Sequence, residues 1–339
     1  MKIAGYEVDL EEAVKIINKK NYKKIVIQIP EGFKIYFTEF VDFLEGKTDA
    51  DVLISADPCY GACDLVTNNL KNLGIDFVIQ IGHEPIFDTK KTKPPTFFIN
   101  AKSDLDVSKV VEKAYPIIKN KKIGLVSTAQ HLHKLNEIKK TLENKNFEVY
   151  IGKGDNRIKI PGQIIGCNFS SANSISKYVD LFLFIGSGNF HPLGLMLSTK
   201  KKVIACDPYT NDVKEKELND LRETILRQRY GAIARSKNAS LFGILVGTKS
   251  GQQRIDLAFK IKEKLEFKEK KSYIFTLDNF SPLVLESFLA VDCFVSTACP
   301  RIAIDDYLQY KVPIITPVEL DILLGLKKWE DYCFDEISS

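Results

Sequence analysis

The chain has 339 residues, 45% hydrophobic and 27% charged content and a formal net charge of +4, the profile of a soluble globular protein with enough length for two or three cores. Its basic residues are spread as pairs and triplets rather than gathered in one block, and no 18-residue apolar run occurs, so neither a membrane span nor direct nucleic-acid binding is expected. Residues 1–7 lack a signal peptide's apolar core, and seven cysteines at irregular spacing fit reduced thiols or metal ligands better than disulfides, so the expected compartment is the cytoplasm.

Taken in order, the chain repeats a pattern of elements rather than of letters. Residues 23–29 read as a buried parallel strand, short and rich in β-branched residues. The polar loop Pro30-Glu31-Gly32 follows, then strands at 52–56, 77–83 and 96–99. A second unit opens at 121–127 and continues through Thr128-Ala129-Gln130-His131, an amphipathic helical pattern at 134–142, and strands at 147–151, 181–188 and 202–205. The third begins at 240–246, passes the polar loop 248–253, and shows strands at 273–277, 293–297 and 312–315. Strands alternating with helical patterns predict an α/β protein of three similar small domains, each a short parallel sheet flanked by helices. The expected boundaries are 1–103, 104–213 and 214–339, the last with a C-terminal tail. The lysines at strand starts (Lys23-Lys24, Lys121-Lys122, Lys200-Lys201-Lys202) are expected to be solvated at the amino-terminal sheet edges.

Three cysteines lie just past apolar runs, one in each unit: Cys63 in Tyr60-Gly61-Ala62-Cys63-Asp64, Cys167 in Ile164-Ile165-Gly166-Cys167-Asn168, and Cys299 in Ala298-Cys299-Pro300-Arg301. Ligands of open α/β sheets bind outside the carboxyl ends of the strands, so these loops are placed to aim three thiolates at a common central point. Cys63 and Cys167 follow the second strand of their units and Cys299 the third. Cys206 and Cys293 sit in apolar strands and read as small buried hydrophobes, and Cys333 lies in the charged tail. Cys59, four residues before Cys63, is either a second ligand from the same loop or a packing residue. Structural zinc uses paired C-x2-C spacings, which the chain lacks, whereas a four-iron, four-sulfur cluster on three thiolates keeps one iron open to substrate. The residues alone leave a cluster and buried structural thiols as equal readings.

Gln28-Ile29-Pro30-Glu31-Gly32, Tyr60-Gly61-Ala62-Cys63-Asp64, Ser127-Thr128-Ala129-Gln130-His131, Pro161-Gly162-Gln163-Ile164-Ile165-Gly166-Cys167-Asn168, Ile185-Gly186-Ser187-Gly188-Asn189-Phe190-His191-Pro192-Leu193-Gly194 and Ala298-Cys299-Pro300-Arg301 carry a resemblance along nearly the whole chain. Together they make it similar to the archaeal diphthamide synthase family, which catalyses the first step of diphthamide biosynthesis. The resemblance implies a triplicated α/β fold, a homodimer, and a 4Fe-4S cluster on Cys63, Cys167 and Cys299. The implied reaction transfers the 3-amino-3-carboxypropyl group of S-adenosylmethionine to imidazole C2 of a histidine in translation elongation factor 2. An external electron donor feeds a one-electron cleavage that releases methylthioadenosine. The C-x3-C-x2-C loop of the large radical enzymes that make 5′-deoxyadenosyl radicals is absent.

Several residues are candidates to position S-adenosylmethionine. Gly186-Ser187-Gly188 ends a strand and opens backbone N–H groups to a carboxylate, Arg301 can hold one bidentately or cap a helix, and Gln28 lies at a strand end. Gln130-His131 and Asn189-Phe190-His191 are expected to meet the protein substrate, although a lone histidine is more often structural. Asp305-Asp306 reads as the start of a helix. Two other classes stay open: a quinolinate synthase-like iron–sulfur enzyme, and a metal-binding protein or silent partner subunit without catalysis.

Overall fold

The computed structural model describes residues 1–66 and 70–338. The first unit runs β1 (Lys2–Ile3), β2 (Tyr6–Val8), α1 (Glu11–Lys20), β3 (Lys24–Gln28), α2 (Phe37–Glu45), β4 (Asp51–Ser55), β5 (Phe77–Ile81) and β6 (Thr96–Ile99). Its parallel sheet has the order β4-β3-β5-β6. Next come β7 (Ala101–Ser103), α3 (Ser108–Ile118), β8 (Lys122–Ser127), α4 (Leu135–Glu143), β9 (Glu148–Tyr150), α5 (Ser170–Asn173), β10 (Leu181–Ile185), α6 (Phe190–Thr199), β11 (Lys202–Asp207) and β12 (Asp212–Lys214). They build the sheet β12-β11-β10-β8-β9, parallel except for the edge strand β12. The last set is α7 (Lys216–Arg235), β13 (Leu241–Gly247), α8 (Ile255–Phe267), β14 (Lys271–Leu277), α9 (Pro282–Glu286), β15 (Cys293–Ser296), α10 (Arg301–Ile304), β16 (Ile314–Ile315) and α11 (Pro317–Leu323), with the parallel order β14-β13-β15-β16.

All three parallel sheets therefore follow one plan: second strand, first, third, fourth. The twelve strands expected from the apolar runs are present, with ends shifted by a few residues. The first and third strands are central and buried on both faces, which is why they read as continuous apolar runs. The plan carries a recurrent device that the apolar pattern does not reveal. An aspartate directly before each third strand turns its carboxylate onto backbone N–H groups at the start of the first strand. Asp76 accepts from Lys23 and Lys24, Asp180 from Lys122, and Asp292 from Ser240 and Leu241. In the second and third units the first strand also places a glycine against a phenylalanine of the third, Gly124 opposite Phe182 and Gly243 opposite Phe294. A Cβ at either glycine would lie 2.4–2.5 Å from the ring. The lysines at the strand starts lie at the amino-terminal edges and are mostly exposed, as expected.

Two features were not anticipated. Residues 2–8 form a hairpin through Ala4 and Gly5, both at positive φ, and pair with β7 in a small antiparallel sheet. The C-terminal segment is no loose tail: Tyr332 and Phe334 join the core of the second unit beneath Phe169. Among the described residues no helix is long and apolar enough to cross a membrane.

The third unit is pinned by Arg229 of α7, which is fully buried. Its Nε and Nη2 donate to the Glu319 carboxylate at 2.7 and 2.6 Å, Nη2 also to Ile314 O, and Nη1 to Ala303 O. Removing one partner of such a pair leaves an unpaired buried charge. Arg229→Met is expected to lower stability by about 3–5 kcal/mol, read as a fall in the urea midpoint. The double variant Arg229→Met/Glu319→Leu should lose less than Arg229→Met alone.

Candidate metal centre

Each of the three cysteine loops is shaped by its own polar residues. In the first, Asp64 Oδ2 accepts the N–H groups of Tyr60 and Gly61, and Asp64 N–H returns to Gly61 O, a tight turn that carries Cys63. Gln28, fully buried at the end of β3, donates to Asp64 O at 2.6 Å and accepts from Val66 N and Gln80 Nε2. Gln28 thus holds the loop from beneath; its amide does not face the cleft as a free group. Cys59 is buried in the same loop, its backbone N–H on Glu31 Oε1.

Cys167 occupies a two-residue turn, Ile165 and Asn168 exchanging backbone hydrogen bonds at 3.2 and 3.1 Å. The apolar run before it is not a full strand: Gln163 makes a single parallel bridge to Ser127, which sets the turn beyond the end of β8. Cys299 follows β15, where Thr297 Oγ1 donates to Leu245 O and Cys299 O accepts from Ile302 at the start of α10.

These loops meet. Gln252 Nε2, from the loop after β13, donates to Cys63 Sγ at 3.3 Å, and Lys249 of that loop pairs with Asp64 at 2.7 Å. Arg157 Nη2 lies 4.0 Å from Cys167 Sγ. The guanidinium of Arg301 stacks 4.6 Å over Phe190, the ring that also packs on Gly166. The thiols respond to one another. Cys63 is pushed up to about 12 by burial, then by the Asp64 carboxylate and Cys167, against the Gln252 hydrogen bond and Lys249. Burial also raises Cys299, reinforced by Cys167 and Cys63 and opposed by the backbone N–H of Arg301. Cys167 is raised by burial and relieved by Arg157.

Cys206, Cys293 and Cys333 stand apart, while Cys59 shares the Cys63 loop. Cys206 and Cys293 are fully buried in β11 and β15, the latter bonded to Ser236 Oγ at 3.2 Å, and Cys333 is half-buried in the C-terminal segment. Cys59, raised to about 12 by burial, feels Asp64 and Cys63. Among the described residues no three His, Cys, Asp or Glu side chains close on one point as they would around a single ion. A four-iron cube is bulkier than one ion and holds its thiolates further apart. Three desolvated thiols from three loops, each with an N–H donor at its sulfur, fit that donor chemistry.

Of the expected positioning residues, Ser187 and Gly188 are exposed after β10, with Gly186 at φ +152° and Gly188 at +75°, and nothing lies within 4 Å of a Cβ built on Gly188. Arg301 is exposed but paired to Asp305 at 2.7 Å. Asp305 ends α10 and Asp306 precedes the turn Tyr307–Gln309, so the pair does not begin a long helix. His191 stacks on Phe184 beside Arg301, and burial lowers it to about 4. Gln130 donates to Gly82 O, linking the first two units. His131 is a correction: at 1% exposure it packs edge-on against Tyr209 and offers no surface to a protein substrate. The sequence reading missed Arg157, Lys249, Gln252 and Arg254. The polar loop 248–253 was visible, but nothing local says that it turns toward Cys63.

The C-terminal segment completes the site. Ile337 N–H donates to Cys167 O at 2.7 Å, Asn168 Nδ2 donates to Ile337 O, and Glu336 accepts from Phe169 N. Arg254 binds the Asp335 carboxylate with both Nη atoms and Thr297 O with Nε, joining the segment to the Cys299 loop.

Three parallel α/β sheets of one strand order carry Cys63, Cys167 and Cys299 on loops at their carboxyl ends, and side chains of those loops touch one another, which defines the class as a repeated α/β protein. The family model for diphthamide synthesis proteins matches residues 29–333. The chain is 37% identical to the 2-(3-amino-3-carboxypropyl)histidine synthase of Pyrococcus horikoshii, covering 98% of this chain and 94% of that one. With the synthase of Methanocaldococcus jannaschii it shares 30% identity over 98% and 93%. The fold is similar to the crystal structure of Dph2 from Pyrococcus horikoshii with a 4Fe-4S cluster, at a TM-score of 0.89 and 36% identity over 98% and 94% of the two chains. The chain belongs to the diphthamide synthesis family.

Two outcomes are expected. After iron–sulfur reconstitution, Cys63→Ala, Cys167→Ala and Cys299→Ala should each lose the brown colour and bound iron, while Cys59→Ala keeps them; iron analysis and visible absorbance decide. His131 is pulled down to about 4 by burial, then by Lys134 and His133. Its folded value lies below the unfolded one, so its neutral form contributes fully above about 6.5. That contribution is lost as pH falls from there through about 4. Urea midpoints should drop between pH 7 and pH 4, and His131→Phe should flatten that slope.

Proposed function

We propose that the chain is a 2-(3-amino-3-carboxypropyl)histidine synthase of the first step of diphthamide biosynthesis, with Cys63, Cys167 and Cys299 as the ligands of a 4Fe-4S cluster. The observation that carries this is the contact between the cysteine loops of different units, Gln252 on Cys63 and Arg301 over the Phe190 that packs on Gly166, in a chain similar to a synthase and to a cluster-bearing Dph2. When bound, such a cluster supplies the electron that splits the bond between sulfur and γ-carbon in S-adenosylmethionine, so that the 3-amino-3-carboxypropyl group reaches imidazole C2 of a histidine in elongation factor 2 and methylthioadenosine leaves.

The chain's own residues bind, orient and exclude water. The backbone of Gly186-Ser187-Gly188 is open enough to receive the carboxylate of S-adenosylmethionine. Arg301 serves the same end once that carboxylate displaces Asp305 from its guanidinium. Gln28 acts one step back, by fixing the Cys63 turn. Phe190, between Gly166 and Arg301, keeps solvent from the side of Cys167. The three units are domains, bounded near residues 103 and 213 and arranged around the cluster. Asn189-Phe190-His191 flanks the opening through which elongation factor 2 reaches it. A reductant must come from outside the chain. A cytoplasmic homodimer is the working assembly, supported by the exposed apolar residues Ile35, Phe37, Leu53, Ile54 and Tyr60 along the edge of the first sheet.

The decisive test is the nucleoside product. Anaerobic, reconstituted protein with dithionite and S-adenosylmethionine should release methylthioadenosine, seen by chromatography. Mainly 5′-deoxyadenosine would place it in another radical class, and no cleavage would leave a non-catalytic partner.

A further inference from the structure

Fully buried Arg229 and part-buried Arg157 differ in how their donors are used. Arg229 spends its guanidinium on Glu319, Ala303 O and Ile314 O. Among the described residues, Arg157 has a buried Nε with no acceptor, and its Nη2 donates toward Cys167 Sγ at 4.0 Å. A desolvated guanidinium N–H without a partner is costly, and such a group persists where an acceptor from outside the polypeptide completes it.

Its placement is deliberate. Residues 152–162 form a long connection closed by Gly162 N–H on Gly152 O. Asp155 accepts Arg157 N–H at 2.9 Å and also Asn168 Nδ2 at 2.9 Å, so the arginine is tied to the residue after Cys167. Gly251, at φ +80° in the loop after β13, leaves room: a Cβ there would lie 3.3 Å from Arg157 Nη2 and 2.8 Å from Ile86 Cδ1. The loop after β13 thus approaches the guanidinium from the third unit, with Ile86 of the first unit also against Gly251. Cys63 and Cys299 receive neutral donors, Gln252 and the backbone N–H of Arg301; Cys167 alone receives a cationic one.

We propose that Arg157 is a positioning residue that acts through Cys167 to set the reduction potential of the cluster. A fixed positive charge at one ligand stabilises the more negative, reduced state more than the oxidised one, and hydrogen bonds to cluster sulfurs shift potential the same way. The inference rests on the cluster assignment above.

The test is an EPR-monitored redox titration of the reconstituted full chain, as wild type, Arg157→Lys, Arg157→Gln and Arg157→Met. The midpoint should move to more negative potential in the Met and Gln variants, while Lys, keeping the charge, stays nearer wild type. Iron per chain and the thermal midpoint are measured on the same samples. Equal potentials in all iron-bearing variants overturn the proposal, as does loss of iron from Lys, Gln and Met alike, which would make Arg157 a structural residue. A wild type that takes up no cluster overturns the cluster assignment itself, a result distinguishable from either.

Discussion

A parallel sheet has all its strands ending on one edge, so the loops that follow them collect there. In this protein loops at those edges touch one another across the three sheets, and the site depends on the sheets keeping the orientation that lets them touch. Beside the packing of the C-terminal segment on the second unit, directed contacts join the units at the site: Gln252 to Cys63, Lys249 to Asp64, Gln130 to Gly82, Arg301 over Phe190. Each is worth on the order of 1 kcal/mol, so orientation rests on their acting together.

Burial then sets the chemistry. Thiols desolvated this strongly stay protonated near neutral pH, as the rise of Cys63 to about 12 expresses. On the proposed reading, a metal centre would have to replace those protons, so loading would release protons as it proceeds. The same burial protects the sulfurs from solvent.

Much of the fold was legible because both-face burial leaves a mark on sequence. Residues such as Phe77–Ile81 and Leu181–Ile185 are apolar at every step except Gln80, and their strands fall within a few residues of expectation. Gln80 departs from the pattern because it belongs to the network under Cys63. The threefold aspartates at 76, 180 and 292 were equally present in the letters but say nothing until the strands are paired. At the site, the loops of Cys63, Cys167 and Cys299 could be read from the chain, since strand ends and small residues are local features. Gln28 and His131 could not: a polar residue at a strand end looks alike whether it faces a cleft or an interior amide network. Arg157 and the C-terminal segment escaped for a related reason, since their partners lie across loops or some 170 residues away, where no periodicity connects them.

The binding of Ile337 to the Cys167 turn has a consequence for how the protein comes into being. Units emerge from the ribosome one after another and fold in that order. The second sheet can therefore be complete while the backbone acceptor at Cys167, and the N–H of Phe169, still wait for residues 336–337. A nascent chain holding two finished sheets still carries an open Cys167 turn, and translation must run past residue 337 before that loop is braced. The Cys167 turn is thereby the last of the three cysteine loops to be closed, with the order of events written into which residues clasp it.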